Sequence, residues 1–171
     1  MTSTSASLSR KVKRVINANL LELEPAAIDG PHALLLVTPH WSMCPFGTME
    51  QSQEATNYVS NYLENNNNTV TLNITHEHYY DGGRHDTILA DVFTSKGESI
   101  CKHLLEAGYS WLPDRSYGTE CPPVDYEKAY RQAVADKKGL WATVGPYDRE
   151  NPAQYRKYLN NLWDDISWAF Y

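Results

Sequence analysis

The sequence ILADVFTSKGESICKHLLEAGYSW, residues 88–111, decides the fold class of this chain. Residues 88–94 are rich in β-branched and apolar side chains, a composition typical of a strand. Ser99 then starts a short helix with its apolar side chains on one face, and Gly108 closes that helix as a left-handed cap. The stretch therefore predicts a strand that is followed by a short, capped helix.

Similar patterns on both sides of this stretch predict further strands and helices. Apolar and β-branched residues indicate strands at residues 11–23, 34–37 and 69–75, with a turn near residues 17–19. Helical spacing of apolar residues predicts a helix capped by Thr48, another that runs from Asp125 to Gly139, and a last one opened by Asn151-Pro152.

The charge of the chain bears on its partners. The formal net charge is −6, whereas a general nucleic-acid binder has a basic footprint. A short basic stretch near the N-terminus has no acidic residue before it, and its Lys11, Lys13 and Arg14 are candidate nucleic-acid contacts. A small anionic contact is compatible with this stretch, but a nucleic-acid partner is less favoured than a protein partner.

The cysteines and the apolar runs bear on the compartment. Three cysteines, Cys44, Cys101 and Cys121, are too few for a disulfide framework, and no pair has metal-finger spacing. No apolar run has transmembrane length, and no signal-peptide core follows Met1. We therefore expect an intracellular chain, in the cytoplasm or an organelle interior, without a membrane partner.

Several ordered segments resemble one known family. The succession of strands and helices is similar to that of the staphylococcal nuclease (thermonuclease) family. The segments that carry the resemblance are residues 34–39, 54–55, 89–93, 97–109 and 126–141. The resemblance implies an α+β fold that is mainly β, an OB-fold five-stranded barrel with three packed helices.

The resemblance also suggests how the chain is divided. It covers residues 11–143, which we expect to form the barrel domain. Residues 1–10 are Ser/Thr-rich and are expected to be a disordered tail. Residues 144–171 are expected to be an extension that carries the additional C-terminal helix.

The residues that the family uses for catalysis are largely replaced here. In that family carboxylates hold Ca²⁺, a glutamate helps to activate water, and two arginines stabilise the phosphorane. The resemblance aligns these groups with Asn17-Ala18-Asn19, His32 or Ala33, Val37-Thr38-Pro39-His40, and Thr87-Ile88. It therefore implies that the Ca²⁺ site is lost and that no cofactor is bound.

A rearranged site is the alternative for catalysis. If the chain is an active nuclease, the candidate catalytic residues are Arg84, His40, His85 and Asp86. His76 and His78 lie on the same face if the strand continues that far, and with Asp81 they are the candidate metal ligands. A solvated hairpin rich in His and Asp explains the same residues without a metal.

The C-terminal helix suggests a protein partner. Its apolar stripe is wide, and Trp and Tyr favour interfaces. The candidate partner-binding residues are Tyr155, Tyr158, Leu162, Trp163, Ile166 and Phe170.

Three hypotheses follow from the sequence. The preferred one is a catalytically degenerate nuclease-like domain that acts as a binding or scaffolding subunit through protein contacts. The second is an active metal-dependent nuclease with a rearranged site, and the third is a non-catalytic module that binds single-stranded nucleic acid.

Overall fold

The computed structural model describes residues 7–30, 33–45, 50–80, 86–112 and 121–143. Five strands form its sheet: β1 Ser7–Asn17, β2 Leu20–Leu23, β3 Leu35–Pro39, β4 Thr69–Tyr80 and β5 Asp86–Thr94. Four α-helices accompany them: α1 Glu50–Glu64, α2 Ile100–Ala107, α3 Val124–Ala135 and the short α4 Leu140–Thr143. A 3-10 turn at Ala27–Asp29 lies between β2 and β3.

The five strands close into a barrel in the order β1-β2-β3-β5-β4. β1 closes it by pairing twice, because residues 7–11 pair with β4 and residues 12–17 pair with β2. β3 and β5 are parallel, and every other pair is antiparallel. The closed five-stranded barrel with three packed helices confirms the predicted fold class.

One core fills the barrel and extends to two helices. The barrel contributes buried side chains such as Leu21, Val37 and Leu72. α1 packs against them through residues spaced for one helical face, among them Val59 and Leu63. α2 contributes Ile100 and Leu104. A second cluster around Trp111 and Trp141 lies between the segment after α2 and the helices α3 and α4.

Three predicted boundaries were wrong. β1 begins at Ser7, so residues 7–10 belong to the barrel and not to a disordered tail, because they pair with β4. The third helix starts at Val124 after Pro123 and ends at Ala135, before the predicted Gly139, because Lys137 adopts a positive φ of 55°.

Residues 1–6, the Thr48 cap and the C-terminal helix lie outside the described residues. Among the helices that the structure describes, none has both the length and the apolar character needed to cross a membrane.

A buried carboxylate connects the barrel to α3. Asp91 of β5 is 5% exposed. Ser99 Oγ donates to its Oδ1 at 3.1 Å, and Tyr126 Oη donates to its Oδ2 at 2.6 Å. Burial raises the pKa of Asp91, and these hydrogen bonds oppose that shift only in part.

The raised pKa of Asp91 predicts a pH dependence of stability. The unfolded chain releases this proton near pH 4 and the folded chain at a higher pH, so ionisation of Asp91 costs stability as the pH rises between the two values. We expect Asp91→Asn to gain stability relative to wild type as the pH rises from 4 to 8. Urea unfolding at several pH values measures the difference. The matched control is Asp136→Asn, at an exposed carboxylate, and a difference that rises equally for both variants would contradict the assignment.

Two glycines bring the end of α2 against the start of α4. Gly108 caps α2 at a φ of 78°, and its carbonyl accepts a hydrogen bond from Leu140 N at 2.9 Å. A Cβ at Gly108 would overlap the Lys138 carbonyl group, with its carbon only 2.6 Å away. A Cβ at Gly139 would lie 2.6 Å from the Gly108 oxygen. Both positions therefore require glycine for space as well as for conformation.

Gly108→Ala and Gly97→Ala separate these two requirements. Gly97 has nearly the same φ, 79°, but nothing lies within 4 Å of a Cβ added there. We expect Gly97→Ala to lose about 1 kcal/mol, the cost of the left-handed backbone alone. Gly108→Ala should lose about 3 kcal/mol because the overlap must also be relieved. The free energies of unfolding in urea measure both losses, and equal losses would mean that the contact with Lys138 contributes nothing.

Candidate functional site

The candidate site lies at one end of the barrel, where three strands and a turn meet. The parallel register pairs Thr38 with Leu89, and β4 brings His76 opposite the same Leu89. β2 pairs Leu21 with Val37, so the turn before β2 lies beside the end of β3. We call the residues Asn19, Thr38, His40, His76 and Thr87 the barrel-end cluster.

The side chain of Asn19 is held by hydrogen bonds to the backbone of Cys44. The side chain is buried, and its Nδ2 donates to the Cys44 carbonyl at 2.9 Å. Its Oδ1 accepts from the Cys44 N–H at 2.7 Å. In the same turn, Asn17 Oδ1 accepts from the Asn19 N–H at 2.8 Å. The amide of Asn19 therefore fastens the β1–β2 turn to the segment after β3.

Two hydroxyl groups face each other across the parallel strands. Thr38 Oγ1 donates to Thr87 Oγ1 at 3.2 Å, and Thr87 is 2% exposed. Both residues lie in segments that the resemblance aligned with the family's catalytic motifs. Their hydroxyls connect β3 to β5 and carry no charge.

His40 is buried at the end of β3. Its ring stacks on Trp41 at 4.0 Å between centroids, and the ring of His76 meets it edge-on at 6.3 Å. Burial, with a smaller effect of His76, lowers the pKa of His40 to about 4. The imidazole is therefore neutral at pH 7, and its Nδ1 is buried without a hydrogen-bond partner among the described residues.

The structure brings only some of the predicted site residues together. His40 and His76 meet, but Arg84, His85 and Asp81 lie outside the described residues. His78 lies in β4 and Asp86 begins β5, and the β4–β5 register shifts between His76 and Tyr79. The regular alternation from which a shared face of His76 and His78 was inferred is therefore interrupted. Within the described part of the chain, no group of three or more His, Cys, Asp or Glu side chains could hold a metal ion.

The predicted basic site has an acidic partner. Lys13 Nζ and Arg14 Nε each lie 2.6 Å from a carboxylate oxygen of Glu22. Their hydrogen bonds lower the pKa of Glu22, so this carboxylate is ionised and offsets part of their charge. Lys11 is exposed beside them. The positive charge of the predicted basic stretch is therefore partly offset, although both paired side chains remain more than half exposed.

Sequence reasoning missed Glu22 and the role of Asn19. Arg14 and Glu22 are direct cross-strand partners, a relation that the register of the β1–β2 hairpin contains and the residue order alone does not. The resemblance indicates only that Asn19 replaces a carboxylate of the family, and it does not indicate what the Asn19 side chain binds. Its two bonds to Cys44 depend on a contact between residues 25 positions apart, which no local pattern indicates.

Comparison with known proteins identifies the family. The family model described as staphylococcal nuclease homologue matches residues 36–143, more than half of the chain. The chain belongs to the staphylococcal nuclease homologue family, as its sequence resemblance predicted. A comparison with curated proteins finds no match to this chain.

Asn19→Asp tests what the buried amide does. A carboxylate at this position accepts from Cys44 N–H but cannot donate to the Cys44 carbonyl, so two oxygens would face each other. We expect a loss of about 1–3 kcal/mol in the free energy of unfolding at pH 7.

Asn17→Asp is the matched control for this change. Asn17 only accepts a hydrogen bond from Asn19 N–H, and a carboxylate oxygen accepts equally well. Its effect should therefore lie within about 0.5 kcal/mol. An Asn19→Asp protein as stable as wild type, or one that Ca²⁺ stabilises, would contradict a purely structural role for Asn19.

Proposed function

We propose that this chain is a catalytically degenerate staphylococcal-nuclease-like domain that acts as a binding or scaffolding subunit through protein contacts. One observation carries the proposal. Three polar side chains of the barrel-end cluster connect segments of the barrel, and the described cluster includes no carboxylate: the amide of Asn19 bonds to Cys44, and the hydroxyls of Thr38 and Thr87 bond to each other.

The donor set of the cluster does not fit the Ca²⁺ ion that the family implies. Ca²⁺ takes six to eight oxygen ligands, and carboxylates supply most of the charge. The described cluster offers one amide oxygen, already engaged by Cys44 N–H, and two neutral hydroxyls. The imidazoles of His40 and His76 are nitrogen ligands, which suit transition metals rather than Ca²⁺. We derive no catalytic step through a calcium ion here.

The chemistry of phosphodiester cleavage also needs positive charge at the phosphorane. Removing one such stabilising group costs orders of magnitude in rate. Arg10 and Arg14, the arginines nearest in sequence to the β1–β2 turn, are engaged with Asp29 and Glu22. Arg131 lies in α3 and pairs with Glu127. Among the described residues, no arginine joins the barrel-end cluster, which supports loss of the inherited mechanism.

His40 alone does not replace that mechanism. Its neutral imidazole could accept a proton, but the ring is 5% exposed and stacked on Trp41. A base must lie within hydrogen-bond reach of the water that it activates, and that water needs a site beside the phosphate. The buried position of His40 favours a packing role at the end of β3.

The binding role rests on the charge and on the C-terminal sequence. The net charge of −6 and the partner of Lys13 and Arg14 favour protein over nucleic acid. The aromatic stripe from Tyr155 to Phe170 lies outside the described residues, and it remains the predicted protein contact.

A nuclease assay tests the proposal directly. We expect the purified chain to cleave neither DNA nor RNA, single- or double-stranded, with Ca²⁺, Mg²⁺, Mn²⁺ or Zn²⁺, because the described cluster lacks both carboxylates and arginines. The melting temperature should be unchanged by millimolar Ca²⁺, since a bound ion would raise it.

Arg84→Ala serves as the control in the same assay. Metal-dependent cleavage that disappears in this variant would replace the proposal with an active nuclease rebuilt around residues 76–87. Salt-sensitive binding of single-stranded nucleic acid, lost when Lys11 and Lys13 are changed to Gln, would favour the nucleic-acid module instead.

A further inference from the structure

Four aromatic rings form a continuous row on the surface beside α1 and α2. Tyr109 contacts Tyr58 at 4.9 Å between ring centroids, Tyr58 stacks parallel to Tyr62 at 6.3 Å, and Tyr62 contacts His103 at 4.5 Å. All four side chains are half-buried. We call these four residues, together with Glu54, Glu98 and Glu106, the tyrosine face.

The row follows from how α1 packs. α1 buries Ala55, Val59 and Leu63 against the barrel. Tyr58 and Tyr62 each precede one of these residues, so they flank the buried stripe one helical turn apart. α2 and its cap place His103 and Tyr109 alongside. The rings therefore rest on the core at one edge and reach the surface at the other.

Carboxylates lie beside the row of rings. Tyr62 Oη donates to Glu98 Oε2 at 2.6 Å, and Glu98 is exposed. Burial raises the pKa of both Tyr58 and Tyr62, and the nearby carboxylate of Glu106 raises it further. Glu54 precedes Tyr58 by one helical turn and lies on the same face of α1.

The helices supply little positive charge to offset these acids. α1 contains three glutamates and neither lysine nor arginine. The one lysine of α2, Lys102, has its Nζ 3.1 Å from Asp125 of the neighbouring α3 and 4.0 Å from Glu106, so it offsets the charge of Glu106 only in part. The face therefore combines electron-rich rings with negative charge.

We propose that the tyrosine face binds an arginine side chain of a partner protein. A guanidinium group stacks flat on tyrosine rings, and its fork of donors matches a carboxylate in two parallel hydrogen bonds. The row of rings provides the aromatic surface, and Glu98 and Glu106 provide the acceptors. Nucleic-acid bases also stack on tyrosine, but the carboxylates repel their phosphates.

This inference rests on the proposed binding role, and it assigns a place and a ligand chemistry to that role. The face is formed by α1, α2, Tyr109 and the loop that carries Glu98, whereas the barrel-end cluster lies on β3, β4, β5 and the β1–β2 turn. Changes at the face therefore leave the cluster intact, and the two proposals fail in different experiments. The nuclease assay tests the first, and peptide binding tests the second.

The probe is a hexa-arginine peptide, with binding followed by NMR chemical shifts and by calorimetry at low salt. The largest shifts should fall on Tyr58, Tyr62, His103 and Tyr109. Glu98→Gln and Glu106→Gln should each weaken binding by about two- to fivefold, the effect of one exposed ion pair.

Matched variants separate a specific surface from general attraction between opposite charges. Glu24→Gln removes the same charge from an exposed residue after β2 and should leave the affinity nearly unchanged. Tyr62→Leu should weaken binding by about two- to fivefold, while Tyr62→Phe, which keeps the ring, should retain most of it. Thermal unfolding checks that each variant is folded, and the glutamate variants decide the test if Tyr62→Leu is not.

Several outcomes would overturn the inference. Shifts spread evenly over acidic surfaces, or equal losses for Glu24→Gln and Glu106→Gln, would reduce the effect to net charge. Equal affinity for hexa-lysine would remove the preference for guanidinium. Tighter peptide binding after Arg156→Gln and Lys157→Gln would show that the chain's own C-terminal residues occupy the face, not a partner.

Discussion

The parallel pairing of β3 with β5 is the constraint on which the rest of the structure depends. Parallel neighbours need a long crossover between them, and here the crossover contains both α1 and β4. The pairing continues beyond β3, because His40 N donates to the Ala90 carbonyl at 2.9 Å. Barrel closure, the position of α1 and the meeting of Thr38 with Thr87 all follow from this one contact between strands.

The same constraint applies to the end of β3. The end of β3 must be fastened to its neighbours whether or not the chain catalyses a reaction. In this chain that is done by neutral groups, the amide of Asn19 and the hydroxyls of Thr38 and Thr87. Neutral buried groups need only their hydrogen bonds, whereas clustered carboxylates repel each other until a cation binds. These described hydrogen bonds at the end of β3 therefore need no cation to offset charge.

Local patterns predicted elements well and their contacts poorly. The helix α2 was identified correctly from Ser99 and Gly108, because both caps are local backbone requirements. Residues 7–10 were missed as a strand because their partner, β4, lies some sixty residues later in the chain. In the sequence, nothing distinguishes Asp91 from an exposed polar residue of a strand. It is buried because α3 covers it with Tyr126, a contact that local patterns do not predict. Of the predicted site residues, His40 and His76 meet in the structure, and this contact depends on tertiary pairing that no local pattern contains.

The burial of the cysteines has a practical consequence for labelling. Cys44 and Cys101 are both fully buried, and burial raises the pKa of the Cys101 thiol to about 12. Neither thiol forms appreciable thiolate at neutral pH, and thiolate is the form that attacks maleimides and other alkylating reagents. Cys121, just before α3, is free and exposed. Cys121 is therefore the single cysteine that a fluorophore or spin label can modify readily at neutral pH. A label on Cys121 would lie beside α3, the helix that Asp91 joins to the barrel.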